Sequence, residues 1–433
     1  MRLRSPYDRE IFRYAIPALG ALAAEPTYVL VDTAIVGHLG RSQLAALGVA
    51  ATVLSVLSMF NFLQYGTTAQ VSRATGAREH QTAARLGAQS LWLSLAAGIV
   101  LAALIAALAG PIVNLFGVEG KTAGYAVLYL RIAALGVPSA FVTIGGQGFL
   151  RGVSDLRTPL LIVIAGNVVN VVLEVLFVYG FGWGVAGSAW GTVIAQTLMG
   201  AGMAWAILRR VGHGNVALRP ALARRLLTVG KFIFLRTIAL MSSFILTGAV
   251  VARMGDGPLA AYQIAFQLWV FLALVLDSVA IAGQIIVGRE LGGDRADAAY
   301  AASVRMIWLS VLLGTGFTVL LIVFSGVIPH AFTSDAEVLA QCALVWPIFA
   351  LMQPLSGAVF ALDGILIGAS DGPFLAGSMA AAFAACTAVL AATVAGDWGV
   401  RGAWAAIAAL IVVRLTLMGA RFLRRRWLVT GFI

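Results

Sequence analysis

Acidic side chains occur inside long apolar stretches of this chain, where an ionised group is costly. A charge at the centre of a membrane costs about 3 kcal/mol even on lenient insertion scales. Glu25 and Asp32 are seven residues apart in the first such stretch, which places them on one face of a helix. Acids in this setting predict a site that binds a small cation or an ion-pair partner.

A second apolar stretch carries polar side chains at helical spacing. Asn170 and Glu174 are four residues apart and Asn167 lies about one turn earlier, so the three share one stripe. Thr192, in the following stretch, adds a hydroxyl. Carboxylates, a carboxamide and a hydroxyl converging from three helices would form an oxygen-rich cage. Such a cage suits a proton or Na⁺, and Pro17 and Pro26 in the first stretch predict a hinge beside it.

The composition identifies the solvent around these helices as lipid. Of the 433 residues, 61% are hydrophobic and 11% are charged, whereas soluble domains carry about 25% charged residues. The net charge of +11 comes from short arginine clusters between apolar runs, a pattern typical of membrane loops and not of a nucleic-acid-binding surface. Cys342 and Cys386 form neither a CxxC motif nor a Cys/His cluster, so we expect no metal site and no cofactor besides a coupling ion.

Twelve stretches are long and apolar enough to cross a bilayer as helices. They cover approximately residues 11–36, 44–71, 86–109, 123–150, 159–181, 185–208, 226–252, 259–287, 300–328, 338–367, 373–396 and 399–420. With the N-terminus inside, 22 Lys and Arg residues lie on the cytoplasmic side and four on the opposite side. We therefore predict a multi-pass protein of the cell (inner or plasma) membrane with both termini in the cytoplasm.

The chain contains a duplication at an offset of about half its length. Gly148-Phe149-Leu150-Arg151-Gly152-Val153-Ser154-Asp155 matches Gly364-Ile365-Leu366-Ile367-Gly368-Ala369-Ser370-Asp371. Six spans in each repeat make the two halves parallel, and alternating access would follow from movement of one half against the other. The predicted domains are an N-lobe of residues 1–210, a cytoplasmic linker of residues 211–225 and a C-lobe of residues 226–433.

The duplication separates two kinds of polar residue. The cage has no acidic counterpart in the second half, which favours a specialised ion site in the first half. Asp363, by contrast, aligns with Gln147, and a further acid, Asp277, lies in the eighth stretch. Arg236 and Arg414 are the candidate partners for these acids, either as structural ion pairs or as substrate contacts.

Two segments resemble a known family. The segments are Val31-Asp32-Thr33-Ala34-Ile35-Val36-Gly37-His38-Leu39-Gly40 and Leu362-Asp363-Gly364-Ile365-Leu366-Ile367-Gly368-Ala369. They resemble the first and tenth helices of multidrug and toxic compound extrusion (MATE) transporters of the DinF-like branch. The resemblance implies twelve transmembrane helices in two parallel six-helix repeats, arranged as a V-shaped two-lobe all-α membrane fold. It also implies an N-lobe cation site at Asp32, Asn170 and Thr192, with Glu174 where the family often has Asp.

The activity implied by the resemblance is antiport, in which small organic compounds, often cationic, leave as H⁺ or Na⁺ enters. A monomer in the lipid bilayer suffices for that mechanism, and no enzymatic activity is expected. A lipid-linked saccharide flippase is an alternative, although it would need a strongly cationic cleft. A polytopic membrane enzyme is a second alternative, which would need clustered catalytic residues at the lipid interface.

Overall fold

The computed structural model describes residues 5–212 and 215–431, which form fifteen α-helices and no β-strand. The helices are α1 (Pro6–Gly37), α2 (Arg41–Ser55), α3 (Phe62–Gly76), α4 (His80–Leu115), α5 (Gly120–Ala134), α6 (Val137–Gly152), α7 (Arg157–Val175), α8 (Gly184–Val211), α9 (Pro220–Ala252), α10 (Asp256–Gly292), α11 (Ala296–Val323), α12 (Ala336–Leu351), α13 (Gln353–Gly368), α14 (Gly372–Gly396) and α15 (Gly399–Leu423).

The helices supply the predicted number of membrane spans. In the described part of the chain, ten helical segments are long and apolar enough to cross a membrane by themselves. One of them, Arg41–Gly76, joins α2 and α3 through a 3₁₀ turn at Val56–Asn61. Two further helix pairs, α5 with α6 and α12 with α13, bend by 51° and 48° at a short break. Counting each bent pair as one span gives twelve, which confirms the predicted all-α membrane fold.

The helices form two compact units. One unit runs from Gly20 to Gly230, and the other comprises the described residues up to Leu19 and from Lys231 onward. Both boundaries fall inside helices, because α1 and α9 each contribute residues to both units. The lobes and linker inferred from the sequence, residues 1–210, 226–433 and 211–225, remain a prediction.

The duplication is visible in the backbone of the turns. Residues with a positive φ recur at an offset of 215 or 216 in the two halves. These pairs are Gly40 and Gly255, Arg78 and Asp294, Ser154 and Ser370, Gly182 and Asp397, and Gly184 and Gly399. Such a backbone is uncommon for residues other than glycine, so its recurrence at five matched positions reflects two copies of one chain path.

The repeated Gly148–Asp155 motif lies where two spans cross closely. A Cβ on Gly152 of α6 would lie 3.2 Å from the carbonyl oxygen of Thr68 on α3. A Cβ on Gly368 of α13 would lie 2.7 Å from the carbonyl oxygen of Gln284 on α10. Glycine at these positions allows the helix backbones to approach one another, as small residues do in membrane proteins generally.

The motif ends in a charged turn outside the spans. Asp155 accepts hydrogen bonds from the backbone N–H and the hydroxyl of Thr158, at 3.0 and 2.6 Å, and pairs with Arg210. Burial by itself raises the pKa of Asp155, but these hydrogen bonds and the guanidinium outweigh it and hold the pKa below its usual value. The equivalent acid, Asp371, pairs with Arg421 at 2.8 Å. Both repeats therefore keep an acid–arginine pair at this turn.

Candidate cation site

Two acids inside the membrane spans meet at one hydroxyl group. The Ser188 Oγ on α8 lies 2.7 Å from Asp32 Oδ1 on α1 and 2.8 Å from Glu174 Oε1 on α7. The exposed fractions are 5% for Asp32 and 0% for Glu174 and Ser188. Three helices of the Gly20–Gly230 unit therefore bring two carboxyl groups together in a buried position.

The geometry at Ser188 matches a pair of carboxyl groups that shares one proton. A serine hydroxyl has one hydrogen to donate but two lone pairs with which to accept. It can donate to one ionised carboxylate while accepting from a second carboxyl group, provided that the second group is protonated. Both short contacts are then hydrogen bonds. With both acids ionised, one contact would place two acceptors against each other.

Further oxygen atoms border the acids. Asn170 Nδ2 lies 3.4 Å from Thr192 Oγ1, which also contacts the Tyr28 hydroxyl at 2.9 Å. Two buried oxygen atoms, Glu174 Oε2 and Asn170 Oδ1, have no hydrogen-bond partner among the described residues. Buried polar atoms without partners are rare, and each calls for an explanation such as an ordered water, an ion or a functional role. The polar cluster thus contains two acceptor oxygens that bond to no described residue.

Small residues on α8 let α7 approach closely enough to form this arrangement. A Cβ on Gly191 would lie 3.1 Å from Cγ of Glu174, and a Cβ on Gly187 would lie 2.9 Å from the carbonyl oxygen of Phe177. A π-helical turn, Leu176–Gly180, begins two residues after Glu174. Single π turns are frequent at functional sites because they re-aim neighbouring side chains.

The remaining predicted cage residues take other positions. Asn167 donates from Nδ2 to the carbonyl oxygen of Ala24 at 3.1 Å, so its amide bonds to the backbone of α1. Glu25 lies in α1, but its side chain is outside the described residues. Pro17 and Pro26 lie within α1, which is helical from Pro6 to Gly37. Their hinge role stays a prediction.

Sequence reasoning missed Ser188 and Tyr28. Both had a detectable signal, because Ser188 lies four residues before Thr192 and Tyr28 lies four residues before Asp32. A spacing of four places each of them one turn from a predicted site residue on the same face. Serine and tyrosine are common in membrane helices, so the spacing alone did not single them out.

A groove reaches the neighbourhood of the site between α1 and α7. It encloses about 440 Å³, and most of its lining side chains are apolar. Its polar side chains are Thr27, Tyr28 and Asn167. The Tyr28 hydroxyl bonds to Thr192, so the groove and the acid site share one residue.

The second repeat keeps the position but not the charge. Thr247 and Cys386 are the counterparts of Asp32 and Asn170 at offsets of 215 and 216. Thr247 Oγ1 lies 3.9 Å from Cys386 Sγ, so the two positions are neighbours there too. The duplicated framework therefore places uncharged residues where the first repeat has a carboxylate and a carboxamide.

The other unit contains a separate charged cluster. Asp363 on α13 pairs with Arg236 on α9, and its Oδ1 lies 3.2 Å from Arg414 Nη2 on α15. Both candidate arginines thus pair with one acid. The aligned residue, Gln147, accepts from Arg151 Nη2 at 3.0 Å. Asp277 is half-buried on α10.

Comparison with known proteins agrees with a polytopic membrane transporter, the class that the twelve spans, the two repeats and the buried acids define. Residues 17–176 and 233–393 match the sequence model of the MatE family, and the chain belongs to this family.

Curated relatives and solved structures agree with that assignment. The chain is 32% identical to Protein DETOXIFICATION 44, chloroplastic, from Arabidopsis thaliana, over 94% of this chain and 80% of the relative. It is 31% identical to DNA damage-inducible protein F from Escherichia coli strain K12, over 97% of this chain and 93% of the relative. The structure of the Vibrio cholerae MATE transporter VcmN in the bent form superposes with a TM-score of 0.88 at 18% identity, covering 97% and 96% of the two chains. The predicted family and fold are confirmed.

Proposed function

We propose that the protein is a secondary-active exporter in which inward movement of a cation drives small organic compounds out of the cell. The coupling cation is a proton or Na⁺, and the geometry favours the proton. The exporter is an antiporter, works as a monomer and lies in the cell membrane with both termini in the cytoplasm. Small, often cationic, organic molecules are its expected cargo.

One observation carries this proposal, namely that Asp32 and Glu174 converge on the hydroxyl of Ser188. Their bonded oxygens lie 2.7 and 2.8 Å from one atom, so they are at most about 5.5 Å apart. Two full charges at that separation repel each other by about 3 kcal/mol at an effective dielectric constant of 20. One bound proton removes that repulsion.

The repulsion offers a route to coupling. Asp32 is on α1 and Glu174 is on α7, so loss of the cation favours separation of these two helices, and binding favours their contact. A ligand shifts a conformational equilibrium only by its difference in affinity for the two states. About 3 kcal/mol corresponds to a shift of roughly 100-fold, which is within the range of known allosteric couplings.

Transport by purified protein in proteoliposomes tests the proposal. Ethidium transport would be followed under a pH gradient and, separately, under a Na⁺ gradient. We expect the pH gradient to drive transport by the wild type and Asp32→Asn to abolish it without loss of folded protein.

Asp397→Asn is the matched control for this test. Asp397 is exposed and has a φ of 51°, a conformation that asparagine tolerates. This variant should transport like the wild type. Coupled transport by Asp32→Asn would contradict the proposal, and transport driven by Na⁺ alone would assign the coupling to Na⁺.

A further inference from the structure

The charged cluster of the second unit, formed by Asp363, Arg236 and Arg414, has an excess positive charge. One carboxylate faces two guanidinium groups, so the formal charge of the cluster is +1. Side-chain exposure is 12% for Arg236, 9% for Asp363 and 4% for Arg414. A buried charge without a counter-ion is costly, and breaking such a balance is strongly destabilising. One more negative group would therefore balance the charge of the cluster.

The arginine that is most accessible also has an unused donor. Arg236 Nε is buried and has no hydrogen-bond partner among the described residues, although the same guanidinium pairs with Asp363. A guanidinium presents its N–H groups in a planar fork that matches a carboxylate. A monoanionic carboxylate would neutralise the cluster, whereas a doubly charged phosphate would leave it with a net charge of −1.

Aromatic rings lie next to the cluster. Phe360 is three residues before Asp363 on α13, so the two side chains are neighbours on one helix face. The Phe360 ring lies 6.4 Å from that of Trp269, which in turn lies 5.0 Å from Phe244 and 6.0 Å from Phe266. Ring-lined surfaces accept flat apolar groups by offset or edge-to-face contact. An aryl group attached to a carboxylate bound by the cluster would meet the partly exposed ring of Phe360 first.

We propose that the Asp363–Arg236–Arg414 cluster binds the carboxylate of an aromatic organic acid, with the aryl group against Phe360 and Trp269. The proposal rests on the exporter function, because it makes the bound acid a cargo, and it adds anionic compounds to the expected cationic ones. The first repeat has Gly20 and Leu198 at the positions equivalent to the two arginines. The cationic cluster, like the acid pair, is therefore particular to one half.

Binding to the purified full-length protein in detergent, without any gradient, tests this inference. The probe is 2-naphthoate, with 2-naphthamide as its neutral analogue of the same shape, and isothermal titration calorimetry gives both affinities. We expect millimolar or tighter binding of the carboxylate and at least tenfold weaker binding of the amide. Arg236→Gln should weaken carboxylate binding at least tenfold, since it leaves a neutral Arg414–Asp363 pair.

Two further variants separate an anion site from a purely structural ion cluster. Asp363→Asn removes the competing carboxylate and should keep or raise the affinity for 2-naphthoate. Arg421→Gln, which removes one positive charge of the same unit at the Asp371 turn, should leave the affinity unchanged. The inference is overturned if 2-naphthoate does not bind or if 2-naphthamide binds equally well. It is also overturned if the Arg236→Gln variant binds 2-naphthoate as tightly as the wild type. Proton-driven ethidium transport without carboxylate binding would refute this inference alone and leave the exporter function in place.

Discussion

The hydroxyl of Ser188 limits which protonation states of the acid pair fit the observed contacts. Its single hydroxyl hydrogen cannot be donated to Asp32 and Glu174 at once, although both carboxyl oxygens lie within hydrogen-bonding distance. A proton on either acid completes the arrangement with atoms that are already in place. Na⁺ would leave both acids ionised, so one of the two short contacts to Ser188 would still lie between two acceptors. A proton therefore fits these contacts better than Na⁺.

Replacing the bridging hydroxyl should impair transport while preserving the fold. Ser188→Ala removes the atom that joins the two acids, and a hydrogen bond to a charged group contributes about 1.5–3 kcal/mol. We expect gradient-driven ethidium transport in proteoliposomes to be about tenfold slower. Thr197→Val is the control on the same helix, since its hydroxyl donates to the Val193 carbonyl oxygen one turn away and not to an acid. Equal rates for Ser188→Ala and the wild type would show that the bridge is dispensable.

Spacing in the sequence predicted which residues share a helix face, but not where along that face another helix packs. Helical periodicity placed Asn170 and Glu174 on one stripe, and the structure brings them to the same polar cluster. Asn167 shares that stripe, yet its amide bonds to the backbone of α1. A stripe defines a helix face, whereas the height at which another helix crosses it depends on packing. For the same reason, the sequence did not single out Ser188 as the meeting point.

Close packing of α7 against α8 sets the geometry of the acid pair at the level of the helices. Gly191 faces Glu174 directly, and a Cβ there would lie 3.1 Å from its Cγ and 3.2 Å from its backbone nitrogen. Few real Cβ contacts are so short, so a larger residue would displace the Glu174 side chain or the whole of α7. The position of Glu174 therefore depends on having glycine, which has no side chain, at position 191 of the neighbouring helix α8.

Adding one methyl group at this contact should affect transport more than stability. Gly191→Ala is expected to slow proton-driven transport several-fold, while the melting temperature of the purified protein changes by only a few degrees. Gly202→Ala tests the same helix pair, because its Cβ would lie 3.6 Å from Ile162, an ordinary contact. It should leave transport intact. A loss of transport in both variants would mean that alanine on α8 is harmful irrespective of Glu174.

The breaks within spans are features that hydropathy does not predict. The second span contains a 3₁₀ turn, and the fourth and tenth spans bend by 51° and 48°. A sum of hydropathy over about 20 residues predicts that a segment crosses the membrane. It carries no information about a bend within that segment, since a bent helix and a straight one bury the same residues in lipid.

At the scale of the whole molecule, the duplication could be predicted from the sequence. The two repeats carry different charged residues, which accounts for the uneven distribution of buried charge. The Gly148–Asp155 and Gly364–Asp371 motifs occupy equivalent turns, with positive φ at Ser154 and Ser370. The acid pair occurs in the first repeat and the arginine cluster in the second. The boundaries of the compact units could not be read from composition because both fall inside helices, α1 and α9, that are apolar enough to span a membrane.

The arrangement of basic residues makes an orientation testable in intact cells. Because 22 Lys and Arg residues lie on the predicted cytoplasmic side and four on the other, a C-terminal green fluorescent protein fusion in a bacterial host should fluoresce. An alkaline phosphatase fusion at the same position should be inactive. Phosphatase inserted between α11 and α12, in residues 324–335, should be active. The reverse pattern would place the termini outside and invert the direction of transport proposed for this protein.

Infrared spectroscopy of the purified protein over a pH series most directly tests whether Asp32 and Glu174 take up the coupling cation together. The purified wild-type protein should show the carbonyl band of a protonated buried carboxyl group, equivalent to one proton. That band should be absent in the Asp32→Asn/Glu174→Gln double variant, which keeps no acid at the site, and unchanged in Asp397→Asn. A band that persists in the double variant would show that the proton binds elsewhere and would contradict the proposed cation site.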